Sequence, residues 1–255
     1  MKRHEFPILE FDPSPGATVE PGSHIQEKDV PEHCVPVFFQ DVVDRVIAEE
    51  GGREIACMGS EMGRHPLYEF ERDGKRIAFF QPGLTAPFAA AMLEEVVAFG
   101  CRKFIACGGA GVLDSDVAVG RIVVPTAAVR DEGTSYHYLP PSREVEPSPE
   151  AVEAIRSTLS GRDIKFLEAK TWTTDAIYRE TPDRIRRRRK EGCLTVEMEA
   201  AAFFAVAAFR RVTLGQLLYA GDDVSGEKWD HRDWNRRDDV RNLLFELAVE
   251  ACLAL

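Results

Sequence analysis

The sequence predicts one α/β domain whose sheet is covered by helices on both faces. Three observations carry this: apolar, β-rich runs recur along the chain, segments with helical apolar spacing alternate with them, and Gly- or Pro-containing turns separate the two. Strands are expected at Arg76 to Gln81, Lys103 to Cys107, Arg121 to Pro125, Ile164 to Thr171, Leu194 to Val196 and Leu214 to Ala220. Helices are expected at Phe38 to Glu50, Phe88 to Phe99, Pro149 to Leu159, Glu199 to Phe209 and Arg237 to Leu253, and the basic run Arg184 to Lys190 reads as a solvated helix face. Residues 1-35 are rich in Pro and Gly without a clear period and read as an extended N-terminal arm, leaving residues 36-255 for the folded domain.

Charge and composition narrow the partners. With 32 Lys+Arg against 43 Asp+Glu the net charge is −11, which opposes binding to nucleic acid but allows a small, even anionic, substrate in a pocket. Hydrophobic residues make up 44% and charged residues 29%, as in globular proteins. The uncharged apolar run Ala200 to Phe209 is far shorter than the ~20 residues of a membrane helix, and the N-terminus lacks a secretory apolar region. No membrane contact and a cytoplasmic location are therefore expected. The six cysteines are scattered without a CxxC pair and read as reduced core residues, with no metal framework.

In α/β sheets of this kind ligands sit beyond the carboxyl ends of the strands. Those ends carry Gln81-Pro82-Gly83-Leu84-Thr85, Gly108-Gly109-Ala110-Gly111, Trp172-Thr173-Thr174-Asp175, Val196-Glu197-Met198-Glu199 and Ala220-Gly221-Asp222-Asp223. The glycines either let backbone approach a ligand or simply make a tight turn; a dinucleotide fingerprint fails because position 114 is Asp. Glu197 and Glu199 precede an alanine-rich helix, where acids serve the helix dipole or accept hydrogen bonds from two adjacent hydroxyls such as a ribose presents. Asp222 and Asp223 form a turn or cap, or hold one carboxyl protonated as a general acid. No GxSxG, HExxH or Walker A sequence occurs, which disfavours serine-hydrolase, zincin and P-loop chemistry.

From about Phe38 to the C-terminus, Val196-Glu197-Met198-Glu199-Ala200-Ala201 together with Trp172-Thr173-Thr174-Asp175, Cys107-Gly108-Gly109-Ala110-Gly111 and Gly221-Asp222 resembles the purine nucleoside and uridine phosphorylase family. The resemblance implies a three-layer α/β/α sandwich with a twisted, mixed, partly closed sheet, and a homo-oligomer, trimer or hexamer, whose active site borrows residues from a neighbouring subunit. It implies cleavage of the N-glycosidic bond of a purine or uracil nucleoside by phosphate, with no metal or organic cofactor. Met198 and Glu199 match the ribose pair, Asp222 the acid that protonates the purine N7, and Trp172 the aromatic residue packing on the base; Glu197, Arg179 and Gly109 join the base site. Thr85 lies in a loop near the site, and His4 and His137 are candidates for the sugar 5′ end. Arg64, Gly108 and Gly109 are the candidate phosphate site, with Arg64 near the position of an arginine donated across the subunit interface.

The sequence departs from the family at the phosphate side. The family's clamping arginine and its following Ser or Thr are Ala106 and Gly109 here, and its N-terminal glycine loop is absent. Either Arg64, Arg130 or Arg179 substitutes, or water is the nucleophile as in the nucleosidase branch, or the chain binds nucleosides without cleaving them.

Overall fold

The computed structural model describes residues 3–255. Ten strands form one sheet: β1 (His33–Pro36), β2 (Arg53–Ser60), β3 (Gly63–Arg72), β4 (Lys75–Phe80), β5 (Lys103–Val112), β6 (Ile122–Asp131), β7 (Glu144–Val145), β8 (Phe166–Thr174), β9 (Cys193–Glu197) and β10 (Thr213–Asp223). The helices are α1 (Pro21–His24), α2 (Gln40–Glu49), α3 (Ala86–Phe99), α4 (Pro149–Gly161), α5 (Pro182–Lys190), α6 (Ala200–Arg210) and α7 (Asp238–Leu253).

The strand order β10-β6-β8-β9-β5-β1-β4-β3-β2, with β10 also paired to β5, closes the strands from β5 round to β10 into a ring and leaves the rest as an open wing. The sheet is mixed: β5 runs parallel to β1 and β10 but antiparallel to β9. One core face buries α3 and α6 against Phe80, Phe104 and Leu214. The other buries α2, α4 and α7 against Phe79, Ile105 and Leu217. The expected three-layer sandwich with a partly closed sheet is therefore the observed architecture, and none of the described helices is long and apolar enough to cross a membrane.

Several boundaries differ from the sequence reading for identifiable reasons. The glycines 108–111 lie inside β5 rather than in a turn after it, in register with Leu218 to Ala220 of β10 and with Val196 of β9. Lacking side chains, they let neighbouring rings pack on the strand: a Cβ on Gly108 would lie 3.0 Å from the Phe38 ring, and one on Gly109 3.0 Å from that of Tyr219. Strand β6 continues to Asp131 and β8 to Thr174, past the apolar runs that announced them. The β2–β3 hairpin was not anticipated, since its outer residues are charged and exposed. Within the stretch expected to be an arm, the described residues include a 3-10 turn at Pro7–Leu9, α1 and the sheet strand β1.

Candidate active site

Helix α6 is wholly apolar in its first turn and buried, so its free amide donors need internal partners. Glu197 supplies them: Oε2 accepts the Glu199 and Ala200 N–H groups at 2.7 and 2.6 Å. Its Oε1 accepts the hydroxyls of Thr173 at 2.6 Å and Thr171 at 3.4 Å, and the Ala201 N–H bonds to Thr173 Oγ1 at 3.0 Å. A carboxylate accepts about four hydrogen bonds, so Glu197 is saturated by the chain itself and offers no acceptor to a base. Burial pushes its carboxyl above the usual range, and these donors counter that.

Glu199, the residue preceding α6, is only 6% exposed. Its Oε1 accepts the Thr85 N–H at 2.6 Å, and backbone amides are its donors; no side-chain donor reaches it among the described residues. Thr85 stands at φ 76°, an uncommon conformation for a β-branched residue, which aims this amide at the carboxylate. Burial first, and the charge of Glu197 second, push the Glu199 carboxyl up to about 8. Met198, between the two acids, is half-buried.

Asp222, near the end of β10, is half-buried, and its Oδ1 lies 3.5 Å from where a Cβ on Gly111 would be. The same Cβ would lie 3.1 Å from Val196 Cγ1, so Asp222 and the residue that begins the Val196-Glu197-Met198-Glu199 run pack together against Gly111. Strand β9 runs antiparallel to β5, with Val196 opposite Gly111. The ends of β9 and β10 thus flank β5, and the run that leads to Glu199 begins beside Asp222. Asp222 Oδ2 accepts the indole N–H of Trp229 at 2.6 Å. Glu180, half-buried on the turn after β8, is pushed up to about 7 by burial and then by the charge of Asp222. Sequence reasoning singled out neither Trp229 nor Glu180.

The other expected site residues lie elsewhere. Trp172 is fully buried, donates its indole N–H to Asp131 at 3.0 Å and has the Arg188 guanidinium 5.4 Å from its ring, so it offers no open face to a base. Arg130 is 4% exposed and committed to the side chains of Ser135 and Ser142 and the carbonyls of Leu139 and Pro140, leaving it no reach to phosphate. Arg64 is exposed on the wing, two strands beyond β1, and pairs with Glu54 at 2.5 Å. Arg179 is exposed at the end of a 3-10 turn and makes no ion pair with Glu180 among the described residues. His4 is exposed in the arm, where its own N–H bonds to Glu10 and its ring accepts the Phe6 N–H. His137 lines a cavity with Phe209 and Arg210, at the end of α6 opposite Glu199 and so about 15 Å from it along the helix.

Glu199 gives a pH-dependent expectation. A ligand whose hydroxyls donate to this carboxyl favours its charged form. At pH 7, below its value of about 8, binding of a nucleoside is therefore expected to release a proton, with affinity rising as pH climbs toward 8. Calorimetry in two buffers of different ionisation enthalpy checks this; heats independent of buffer contradict it.

Comparison with known proteins adds an independent line. The model of the phosphorylase superfamily matches residues 43–254. A guanosine phosphorylase of Halorubrum lacusprofundi is 26% identical over 92% of this chain and 99% of its own length. A uridine phosphorylase of Treponema pallidum is 26% identical over 56% of this chain and 59% of its own. Among solved structures, a uridine phosphorylase from Vibrio fischeri superimposes with a TM-score of 0.76 at 21% identity, covering 91% of this chain and 95% of that one. An AMP nucleosidase from Bacteroides thetaiotaomicron superimposes with a TM-score of 0.72 at 20% identity, covering 89% of each.

Proposed function

The chain belongs to the phosphorylase superfamily, and from that premise we propose that it is a pentosyltransferase cleaving the N-glycosidic bond of a purine nucleoside, with phosphate as nucleophile. The observation that supports this is a buried carboxyl fed only by backbone amides, Glu199, on the run that begins at Val196, the residue that lies with half-buried Asp222 against Gly111 of β5. Glu199 accepts hydrogen bonds from the ribose 2′- and 3′-hydroxyls, and its charge stabilises the oxocarbenium-like sugar as the bond to the base breaks. Half-buried Met198 packs on the sugar. Asp222 gives a proton to N7 of the departing base, which uracil lacks; this favours purines, as does the name of the haloarchaeal relative. The nucleophile attacks C1′ from the face opposite the base, beside Gly108 and Gly109. The chemistry calls for phosphate as co-substrate and for no metal or organic cofactor.

The reading extends to a cytoplasmic homo-oligomer acting in nucleoside salvage. With Arg130 committed internally, the cation for phosphate is Arg64 of a neighbouring copy, reached across an interface to which the arm with His4 also belongs.

A specific observation favours water instead: β5 carries Ala106 and Gly109 at the positions of the family's arginine and hydroxyl residue, and the Tyr219 ring occupies the side of Gly109 on which a hydroxyl-bearing side chain would stand. A panel of nucleosides incubated with and without phosphate, with free base and sugar product quantified, separates the two. Sugar 1-phosphate formed only with phosphate supports phosphorolysis; equal base release without phosphate makes the protein a nucleosidase. Binding with no base release leaves a nucleoside-binding protein, and no effect of any nucleoside removes the proposal altogether.

A further inference from the structure

The loop between β10 and α7 is tied down at several points that have no part in packing Trp229. Asp223 and Asp230 exchange backbone hydrogen bonds of 2.8 and 3.0 Å. The Arg232 guanidinium donates to Asp223 Oδ2 at 2.7 Å and to the Val117 carbonyl at 2.8 Å. The Trp234 carbonyl accepts the Tyr219 hydroxyl at 2.8 Å, and the Trp234 side chain rests against Gly221. These anchors hold the backbone in place, yet Trp229 is 62% exposed. A large apolar ring left so far out of the core is not retained there by burial. Its one directed polar contact is the 2.6 Å hydrogen bond from Nε1 to Asp222 Oδ2.

That contact divides the labour of the two Asp222 oxygens. Both oxygens lie against Gly111, at 3.5 and 3.7 Å from where its Cβ would be, but Oδ2 is held by the indole whereas Oδ1 accepts no hydrogen bond among the described residues. An unrestrained aspartate rotates about χ1 and χ2, so either oxygen could face a ligand at any angle. We propose that Trp229 is a positioning residue for Asp222: its indole N–H fixes one carboxyl oxygen so that the other meets the leaving base. The inference rests on the nucleoside-cleaving reading above. The proton balance follows from it. Protonated Asp222 donates from Oδ1 to the base nitrogen as the glycosidic bond breaks. The resulting carboxylate keeps the indole donor on Oδ2, which stabilises the charge it has just acquired, and takes a proton from solvent before the next turnover.

Removing the donor while keeping an aromatic ring, as Trp229→Phe, is expected to lower kcat about 10-fold through lost orientation, with KM changed less than about 3-fold, the scale of one hydrogen bond to a charged group.

The kcat and KM of the wild type, Trp229→Phe, Asp222→Asn and the Trp229→Phe/Asp222→Asn double variant, with melting temperatures alongside, test the proposal. It is supported if the Trp229→Phe loss appears at unchanged melting temperature and vanishes in the Asp222→Asn background. It is overturned if Trp229→Phe has wild-type kcat, if its loss falls on KM rather than kcat, if the loss is undiminished in the Asp222→Asn background, or if it merely tracks a lowered melting temperature. A wild type that releases no base from any nucleoside overturns the underlying reading as well, an outcome distinct from an active wild type indifferent to Trp229.

Discussion

Asparagine at position 222 is expected to lower kcat for purine nucleosides by about 10²- to 10⁴-fold, the usual worth of a positioned general acid. The substitution keeps the size of the side chain and an oxygen able to accept the Trp229 indole N–H, while removing the transferable proton. KM and melting temperature should therefore stay near wild type, and the whole loss should appear in kcat. Steady-state kinetics with a purine nucleoside, and with a second whose leaving group is acidic enough to depart unprotonated, form the check. The activated substrate should lose far less than the natural one. Equal losses on both would assign Asp222 to binding rather than to proton transfer.

The second large effect is expected at Glu199. Glutamine there keeps the shape but replaces an anionic acceptor with a neutral amide whose NH2 cannot accept from a hydroxyl, so kcat/KM for ribonucleosides should fall about 10²- to 10³-fold. Nucleosides lacking the 2′-hydroxyl should lose less, because they make one fewer contact to forfeit. The same variant should change the dependence of stability on pH. Glu199 in the folded protein holds its proton up to about 8, whereas in the unfolded chain it is released in the usual carboxylate range. Between those limits the folded state binds the extra proton, so this residue's contribution is fully present at acid pH and lost as pH rises to 8. Glu199→Gln should flatten that decline, by on the order of 5 kcal/mol at most for such a shift. Thermal melts at pH 5 and pH 8 test it: the wild type should lose more stability between them than the variant, and parallel declines would count against a protonated Glu199.

How much of this could be read from the chain differs between its parts. The apolar runs that became β4, β5, β6 and β10 and the helices α3, α4, α6 and α7 were legible because each buries a continuous apolar face, which periodicity records directly. The wing strands β2 and β3 were not, because their outer positions carry Arg53, Glu54, Arg64 and Glu71 and show alternation only over short stretches. The ribose and acid candidates were legible because Glu199 and Asp222 each sit in a short contiguous motif at a strand end. Trp172 was placed beside the ligand on the same logic, yet the extra length of β8 and the pull of Asp131 and Arg188 turn its ring into a separate core cluster. Glu197 looked like a second ligand group, but the buried start of α6 needs its oxygens. Trp229 and Glu180 left no signal because their place beside Asp222 comes from two loops folding to one point, which no spacing along the chain encodes.

The most direct test is a crystal structure of the Asp222→Asn variant bound to an intact purine nucleoside. The 2′- and 3′-hydroxyls should lie within hydrogen-bond reach of Glu199 and N7 within reach of residue 222, on one and the same ligand. A nucleoside bound elsewhere, or touching only one of these two side chains, would contradict the account.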